Sequence, residues 1–431
     1  IAGWVVLVAA LLAVFSYQRH PHITDEVAYV MHARFLASGA LTLPAPPVPE
    51  AFTFYLMEVT SGRWYASTPP GWPALLAVGV RLGVPWLVNP LLGGVNVLLA
   101  YLLVWGLYQR RAARIALLLL AVSPWFVFMA MNFMTHTLSL TCALAAAVLV
   151  LQARRTGAAR WAALAGVMLG LGSLIRPLDG LIIAALVGLW ALGLGGKRLT
   201  LPAIAALGVG TLLTGALVLP YNRALTGDAL SFPLNAYVDT HFGMGRNGFG
   251  FGPEKGFGWA LDPNPGHSPV DALINANLNG HSLNTELFGW STGSLLLAAI
   301  ALVASRLSRS DRLMVAVMLA VFTAYFFYYY SGGPDFGARY WYAMVIPLVA
   351  LTVRGMQILG DRLAASGVTQ AESRVLAAVG LLALLALVNY FPWRATDKYY
   401  HFWGMRPDVR ELAAKYDFGR SLVLIRGESH P

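Results

Sequence analysis

The feature that most constrains this chain is a series of apolar runs, each roughly 20 residues long, that continues almost to the end of the sequence. A run of this length can cross a bilayer as a helix, in which every backbone group finds its hydrogen-bond partner internally. Hydrophobic residues make up 58% of the chain and charged residues only 12%, well below the charged fraction of a soluble domain. The sequence therefore predicts an all-α polytopic membrane protein.

Short clusters of basic residues separate the apolar runs and predict their orientation, because basic loops tend to stay in the cytoplasm. We assign five clusters to the cytoplasmic side: Arg110, Arg111 and Arg114; Arg154, Arg155 and Arg160; Lys197 and Arg198; Arg306, Arg309 and Arg312; and Arg354, Arg362 and Arg374. Because these clusters carry much of the net charge of +10, that charge does not indicate nucleic-acid binding.

If the five clusters share one side, residues 72–108 can contain only one crossing. We therefore expect a surface or partly inserted helix from Trp72 to Leu82, and the second span from Pro90 to Tyr108. About eleven spans result. Their expected ranges are 1–17, 90–108, 115–130, 137–153, 161–175, 180–196, 201–221, 290–306, 313–330, 340–354 and 375–392.

The expected domain organisation follows from these spans. Residues 1–392 form a transmembrane domain with external loops at 18–89 and 222–289, and residues 393–431 form an external tail with a small α/β fragment whose strand is 421–425. The first apolar run has no basic segment before it and no cleavage site, and the chain starts at Ile1 without Met. We expect it to be a true span whose leading residues are missing.

Two adjacent carboxylates, Asp25 and Glu26, directly follow the first apolar run. Charge at the end of a span is costly unless it is used or paired, so both are candidate catalytic residues. They begin an amphipathic helix that should lie along the membrane surface and stop at Ser38. Its expected apolar face consists of Val27, Val30, Met31 and Phe35. The structural alternative is that Thr24 caps this helix and the acids complement its dipole.

Two arginines at the predicted outer ends of spans are candidates for binding a phosphate. Arg339 follows a glycine-rich turn, and its planar guanidinium suits a phosphate. The alternative is that Arg339 and Tyr340 anchor the span at the membrane interface. Arg176 lies in the shortest external turn, where the alternative is an ion pair with Asp179 one helical turn later.

Histidines supply two further candidates for contact with a substrate. His136 lies in a short external turn, and the alternative is a hydrogen-bonded interface histidine. His267, like His281, lies in the long external loop, where the alternative is a turn cap. The nine histidines show no helical zinc spacing and Cys142 is the only cysteine, so neither zinc nor a disulfide is indicated. No cofactor is identified, but a divalent cation with oxygen ligands at Asp25 and Glu26 is compatible with the sequence.

The long external loop contains a glycine-rich stretch, residues 243–252, with interleaved phenylalanines and with Trp259 a few residues further on. This composition favours a loop packed closely against a ligand over a mobile linker. No strand precedes the stretch and no Gly-Lys-Ser/Thr follows it, so it does not match a nucleotide-binding phosphate loop.

With these residues located, the layout resembles the GT-C superfamily of membrane glycosyltransferases, in the branch of protein O-mannosyltransferases and lipid A aminoarabinose transferases. The resemblance covers most of residues 1–350 as order and spacing. It rests on Asp25-Glu26-x-x-Tyr29 after the first span, Thr68-Pro69-Pro70 before the second, the long external loop, and Arg339-Tyr340 with Pro347 in a later span.

The resemblance implies a sugar donor linked to polyprenyl phosphate and an acceptor hydroxyl on a glycan, lipid or protein. By similarity Asp25 is the general base, Glu26 supports it, Tyr29 joins the substrate-binding residues, and transfer inverts the anomeric centre on the outer face. The chain departs from the aminoarabinose transferases at Thr68, where they have a lysine. It also has Asn132 and His136 in the next external turn, where many members carry a second acid.

Two functions from other classes fit the same layout. A transporter or flippase of lipid-linked sugars would also need external arginines and a groove open to lipid, although the long external loop argues against alternating access. A surface-glycan polymerase or ligase that uses a lipid diphosphate would be expected to carry several arginines in that loop. Residues 222–289 contain only Arg223 and Arg246.

Overall fold

The protein is described here from a computed structural model that covers residues 1–257, 266–304, 306–330, 332 and 336–419. The predicted strand at 421–425 and Trp259 of the long loop lie outside the described residues.

Helices dominate the described residues. In chain order the α-helices are α1 Ala2–Phe15, α2 Thr24–Ala37, α3 Gly71–Arg81, α4 Val88–Leu107, α5 Arg110–Ala121, α6 Pro124–Met131, α7 His136–Thr156, α8 Ala159–Ile175, α9 Pro177–Ala191, α10 Leu201–Gly215, α11 Val218–Thr226, α12 Pro233–His241, α13 Pro269–Glu286, α14 Leu296–Ala304, α15 Arg309–Phe326, α16 Val345–Ala365, α17 Ala371–Leu385, α18 Phe391–Trp393 and α19 Val409–Lys415.

Other regular segments are short. The 3₁₀ helices are Pro49–Phe52, Pro85–Leu87, Arg339–Met344 and Phe402–Gly404, and π-helical segments occur at Ala386–Tyr390 and Arg394–Tyr399. The three described strands, β1 Leu43–Pro44, β2 Met57–Thr60 and β3 Arg63–Ala66, form one antiparallel sheet in the order β1-β3-β2. The predicted external loop 18–89 therefore contains a small sheet at residues 43–66 that the sequence did not predict.

The count of about eleven spans is not confirmed. Within the described residues, the helices long and apolar enough to cross a membrane are Pro85–Leu107, His136–Thr156, Leu201–Thr226, Arg339–Ala365 and Ala371–Gly404. The bent pair α5 and α6, which meet at 58°, is a sixth if it forms one span. Three predicted spans correspond to shorter apolar helices, α1, α8 and α9. The chain is a multi-pass membrane protein, but apolar runs in sequence overstate helix length wherever a run contains a bend or a turn.

Four helices run between the two ends of the molecule and fix which residues meet. At one end lie His136, Arg176, Tyr325 and Arg339, at or beside the termini of α7, α9, α15 and α16. The opposite ends of the same helices carry the basic clusters. There Asp311 accepts a hydrogen bond from Tyr108 at 3.0 Å, and Arg111 pairs with Glu372 at 2.7 Å. The basic clusters thus gather at the end far from Asp25 and Arg339.

Helix α2 is packed on two sides. Tyr29, Val30 and Ala33 join the main helical core, while Ala28 and Phe35 join a smaller core beneath the sheet. Val27, expected on the apolar face, is 36% exposed. The helix does stop at Ser38, but it begins at Thr24 behind Ile23 with no side-chain cap. It is held between the helical core and the small sheet, because apolar residues on both of its flanks find partners.

The long segment 222–289, predicted as one external loop, contains the end of α11 and the whole of α12 and α13. Its glycine-rich stretch packs closely against the tyrosine-rich end of α15. The Gly250 amide donates to the carbonyl of Phe327 at 2.8 Å, and the hydroxyl of Tyr328 donates to Asn247 at 2.9 Å. The glycine-rich stretch therefore packs over residues 325–330.

Candidate active site

Asp25 and Arg339, which are 314 positions apart in the sequence, face each other at the end of the helical core opposite the basic clusters. The guanidinium Nη2 of Arg339 lies 3.5 Å from Oδ2 of Asp25. Only 3% of the Arg339 side chain is exposed, whereas 21% of Asp25 is. The arginine is thus fixed inside the protein, while the carboxylate remains accessible beside it.

The position of Arg339 follows from the segment that precedes α16. Residues 339–344 form a 3₁₀ helix, and the Arg339 amide donates to the carbonyl of Gly337 at 2.7 Å. The guanidinium carbon lies 5.7 Å and 5.8 Å from the ring centroids of Tyr330 and Tyr340. Because its side chain is buried beside these aromatic rings, the cation has little freedom to follow a displaced ligand.

Arg176 provides a second buried cation near the same place. It forms the predicted ion pair with Asp179, so the structural alternative describes a real contact. The same guanidinium also donates to the hydroxyl of Tyr325 at 3.2 Å and lies 4.7 Å from the centroid of the Tyr340 ring. Both guanidinium groups therefore lie beside the ring of Tyr340.

Tyrosines line the space around Asp25. Burial, followed by the charge of Asp25, raises the pKa of Tyr29, and Arg176 and Arg339 oppose the shift. Burial and the charge of Asp25 also raise the pKa of Tyr55, a residue that sequence analysis did not select. Further tyrosines come from residues 325–330, where Tyr330 lies beside Arg339. Their unusual density in the sequence is a signal that could have indicated an aromatic lining of the site. These phenols supply neutral hydrogen-bond donors and flat apolar faces.

Glu26 occupies a different environment from its neighbour. The side chain is fully buried, and its carboxylate accepts hydrogen bonds from the Tyr17 hydroxyl at 2.6 Å, the His22 amide at 2.9 Å and the Phe133 amide at 2.9 Å. Burial raises the pKa of Glu26 to about 7 against the effect of these donors. We call Glu26 and its three donors the Glu26 cage. It ties α2 to the turn before α7.

The two candidate histidines lie in different places. His136 is buried, with its ring centroid 6.1 Å from that of Tyr340, so it belongs to the Asp25 neighbourhood. Neither of its ring nitrogens has a hydrogen-bond partner among the described residues, unlike the hydrogen-bonded histidine of the structural alternative. The Nε2 of His267 lies 3.1 Å from the carbonyl oxygen of Phe326, and its backbone pairs with Gly252. None of these contacts of His267 reaches Asp25.

The donor set for a metal ion is sparse. Among the described residues, no group of three or more His, Cys, Asp or Glu side chains comes together as a metal site would require. The Glu26 carboxylate is occupied by its three donors, and Asp25 faces a guanidinium. These residues do not fit the cation site that adjacent carboxylates suggested.

An apolar cavity lies between α4, α7, α9, α15 and α16. Leu140, one helical turn beyond His136, and Ala343, three residues beyond Tyr340, line it. The lining continues to Leu107, Leu194 and Leu313 near the basic end. The cavity therefore starts close to the two arginines and extends along the helices away from them.

The chain resembles known proteins in sequence and in fold. Residues 67–221 match the family model described as dolichyl-phosphate-mannose-protein mannosyltransferase. The crystal structure of the apo oligosaccharyltransferase from Archaeoglobus fulgidus superposes with a TM-score of 0.54 at 15% identity, covering 98% of this chain and 60% of that chain. The protein has the GT-C fold. The predicted resemblance to GT-C membrane glycosyltransferases is confirmed at this level, and this chain spans about 60% of that oligosaccharyltransferase.

Two other solved structures have lower scores. ArnT from Cupriavidus metallidurans bound to undecaprenyl phosphate gives a TM-score of 0.48 at 18% identity, covering 90% of this chain and 66% of that chain. The Archaeoglobus fulgidus oligosaccharyltransferase AglB with an inhibitory peptide and a dolichol-phosphate gives 0.47 at 14% identity, covering 98% and 60%. No curated protein matches the chain.

Proposed function

We propose that this protein is a membrane glycosyltransferase that moves a sugar from a polyprenyl-phosphate donor to an acceptor hydroxyl on the non-cytoplasmic face. The observation that carries the proposal is the 3.5 Å approach of the Asp25 carboxylate to the buried Arg339 guanidinium. A potential base and a potential phosphate ligand are thereby neighbours, as transfer from a phosphate leaving group requires. The mannosyltransferase family model over residues 67–221 supports this donor class.

In the proposed reaction, Asp25 takes the proton of the acceptor hydroxyl. The acceptor oxygen forms a bond to the anomeric carbon as the bond to the phosphate oxygen breaks, which inverts that centre. Arg339 stabilises the charge that develops on the leaving phosphate, and Arg176, which also lies beside the Tyr340 ring, is a second cation nearby. Because phosphate competes with Asp25 for the guanidinium, donor binding would also free the carboxylate to act as a base.

The apolar cavity supports a lipid-linked donor. A polyprenyl chain is apolar and long, and the apolar cavity begins near the arginines and follows the helices. With the phosphate at Arg339, the chain can lie along Leu140 and Ala343 without crossing a polar surface. The sugar then faces the tyrosines around Asp25.

The test uses purified protein with radiolabelled polyprenyl-phosphate sugars in vesicles. Transfer of label to an acceptor or to water supports the proposal. Movement of intact donor across the vesicle without bond cleavage would instead identify a transporter or flippase, and use of only a lipid diphosphate would identify a polymerase or ligase. Asp361→Asn, which changes an exposed acid on α16, is the matched control for variants of Asp25.

The proposed face has its own test. Cysteines introduced singly at Val27 and Arg110 can be labelled from outside intact cells with a membrane-impermeant reagent. We expect labelling at position 27 only, since the basic clusters predict a cytoplasmic Arg110. Labelling of both positions from one side would contradict the proposed topology.

A further inference from the structure

The segment that carries Arg339 touches α13 so closely that its backbone leaves no room for a side chain. Gly337 has a φ of +63°, a conformation that glycine adopts without strain. A Cβ atom built on Gly337 would overlap the carboxylate of Glu286 and the hydroxyl of Ser282, both on α13. Glu286 therefore lies directly against the backbone two residues before Arg339.

Glu286 is itself held by two cations from one segment. Arg394 forms an ion pair with it, and the Nζ of Lys398 lies 3.3 Å from the same carboxylate oxygen. Both cations belong to the π-helical segment Arg394–Tyr399, and only 12% of the Glu286 side chain is exposed. A lone carboxylate so deeply buried would be unfavourable, so the cations hold it in place.

The same π-helical segment contacts the Arg339 segment from a second direction. The ring of Phe336 stacks on that of Tyr399, with centroids 6.0 Å apart and planes 12° apart. The guanidinium carbon of Arg339 lies 6.0 Å from the centroid of Phe336. The indole Nε1 of Trp125 on α6 donates to the Phe336 carbonyl at 3.3 Å. The residues before Arg339 are thus held by contacts with α6, α13 and the π-helical segment.

We propose that Glu286, held by Arg394 and Lys398, is a positioning residue that fixes the 336–339 backbone so that the Arg339 guanidinium faces Asp25. Glu286 itself does not touch the donor. This inference rests on the proposed function, because it assigns Glu286 a role through a phosphate-binding Arg339. It also gives residues 394–399 a part in the site, although sequence analysis treated them as the beginning of an external tail.

The central experiment is a double-mutant cycle on donor KM, with Glu286→Gln, Arg339→Lys and the double variant. Glutamine keeps the shape of Glu286 but removes the charge that the two cations hold. We expect Glu286→Gln to raise donor KM about tenfold with a smaller effect on kcat, and the double variant to be no worse than Arg339→Lys alone. Such non-additivity means that the two residues act on the same contact.

The control is Glu372→Gln, which removes an exposed ion pair with Arg111 at the opposite end of the molecule and should leave donor KM unchanged. Lys398→Gln is the second variant if Glu286→Gln does not fold. It removes one of the two cations and should raise donor KM in the same direction, again without adding to Arg339→Lys.

Two results would overturn the inference. A Glu286→Gln protein with a lower melting temperature but a normal donor KM would show a purely structural ion pair. Independent, additive increases in donor KM would show that Glu286 does not act through Arg339. Failure of the proposed function is distinguishable from both, since Arg339→Lys would then have wild-type donor kinetics on its own.

Discussion

Two neighbouring acids of α2, Asp25 and Glu26, lie in surroundings that differ in solvent exposure and in hydrogen-bond partners. The Glu26 cage surrounds a fully buried carboxylate with three donors, and those donors satisfy the oxygens from within the protein. The Asp25 cluster has a partly exposed carboxylate, with a buried guanidinium on one side and tyrosines on others. The cage can stabilise the fold but has no room for a substrate, whereas the Asp25 cluster can exchange a proton with one.

The comparison predicts the largest effect at Asp25. Asp25→Asn preserves shape but removes the proton acceptor, so transfer should fall ~100-fold or more, while the melting temperature stays near that of wild type. Donor turnover and thermal unfolding of the purified variant measure the two effects. A fully active Asp25→Asn protein would remove Asp25 as the base.

Glu26 should show the reverse pattern. Glu26→Ala leaves the three donors of the cage without their acceptor, at a cost of about 2 kcal/mol in the free energy of unfolding. Thermal or denaturant unfolding in detergent measures this loss. The fraction that remains folded should keep donor turnover within a few-fold of wild type, and normal stability would contradict the cage.

The third prediction concerns Arg339, the proposed ligand of the donor phosphate. Lysine keeps the charge but loses the planar fork that lies beside the rings of Tyr330 and Tyr340, so donor KM should rise about tenfold. Steady-state kinetics at varied donor concentration measure the change. Arg63→Lys, which changes a more exposed arginine at the start of β3, is the control, and wild-type kinetics at position 339 would exclude Arg339 from the donor site.

The last prediction concerns pH. Because burial raises the pKa of Glu26 to about 7 from its ordinary value of 4.5, the folded protein binds more protons than the unfolded chain between these values. This stabilising contribution is complete below pH 4.5 and is lost as the pH rises through 7. The melting temperature of wild type relative to Glu26→Gln should therefore fall across this window. An unchanged difference would show that Glu26 titrates normally.

Much of the site could be predicted from residue types at the ends of apolar runs. Asp25, Arg176, Arg339 and His136 were all selected because charge and polarity are costly there, and the structure brings them into one neighbourhood. Tyr55 was missed, since it lies in the predicted external loop, away from the ends of the apolar runs, where an aromatic residue gives no such signal. The helical pattern also missed the sheet at residues 43–66, whose strands are only two to four residues long.

The sequence by itself determined that the chain is helical, resides in a membrane and carries its unusual charges at the ends of its apolar runs, because composition and spacing report burial in lipid directly. Only the tertiary structure decided which of the two adjacent acids is accessible. Successive residues of a helix point about 100° apart, so the neighbours around α2 determine the environment of each acid. Tyr17 and Phe133 enclose Glu26, and Arg339 faces Asp25. Phe133 and Arg339 come from distant parts of the chain, and local sequence patterns carry no information about their approach.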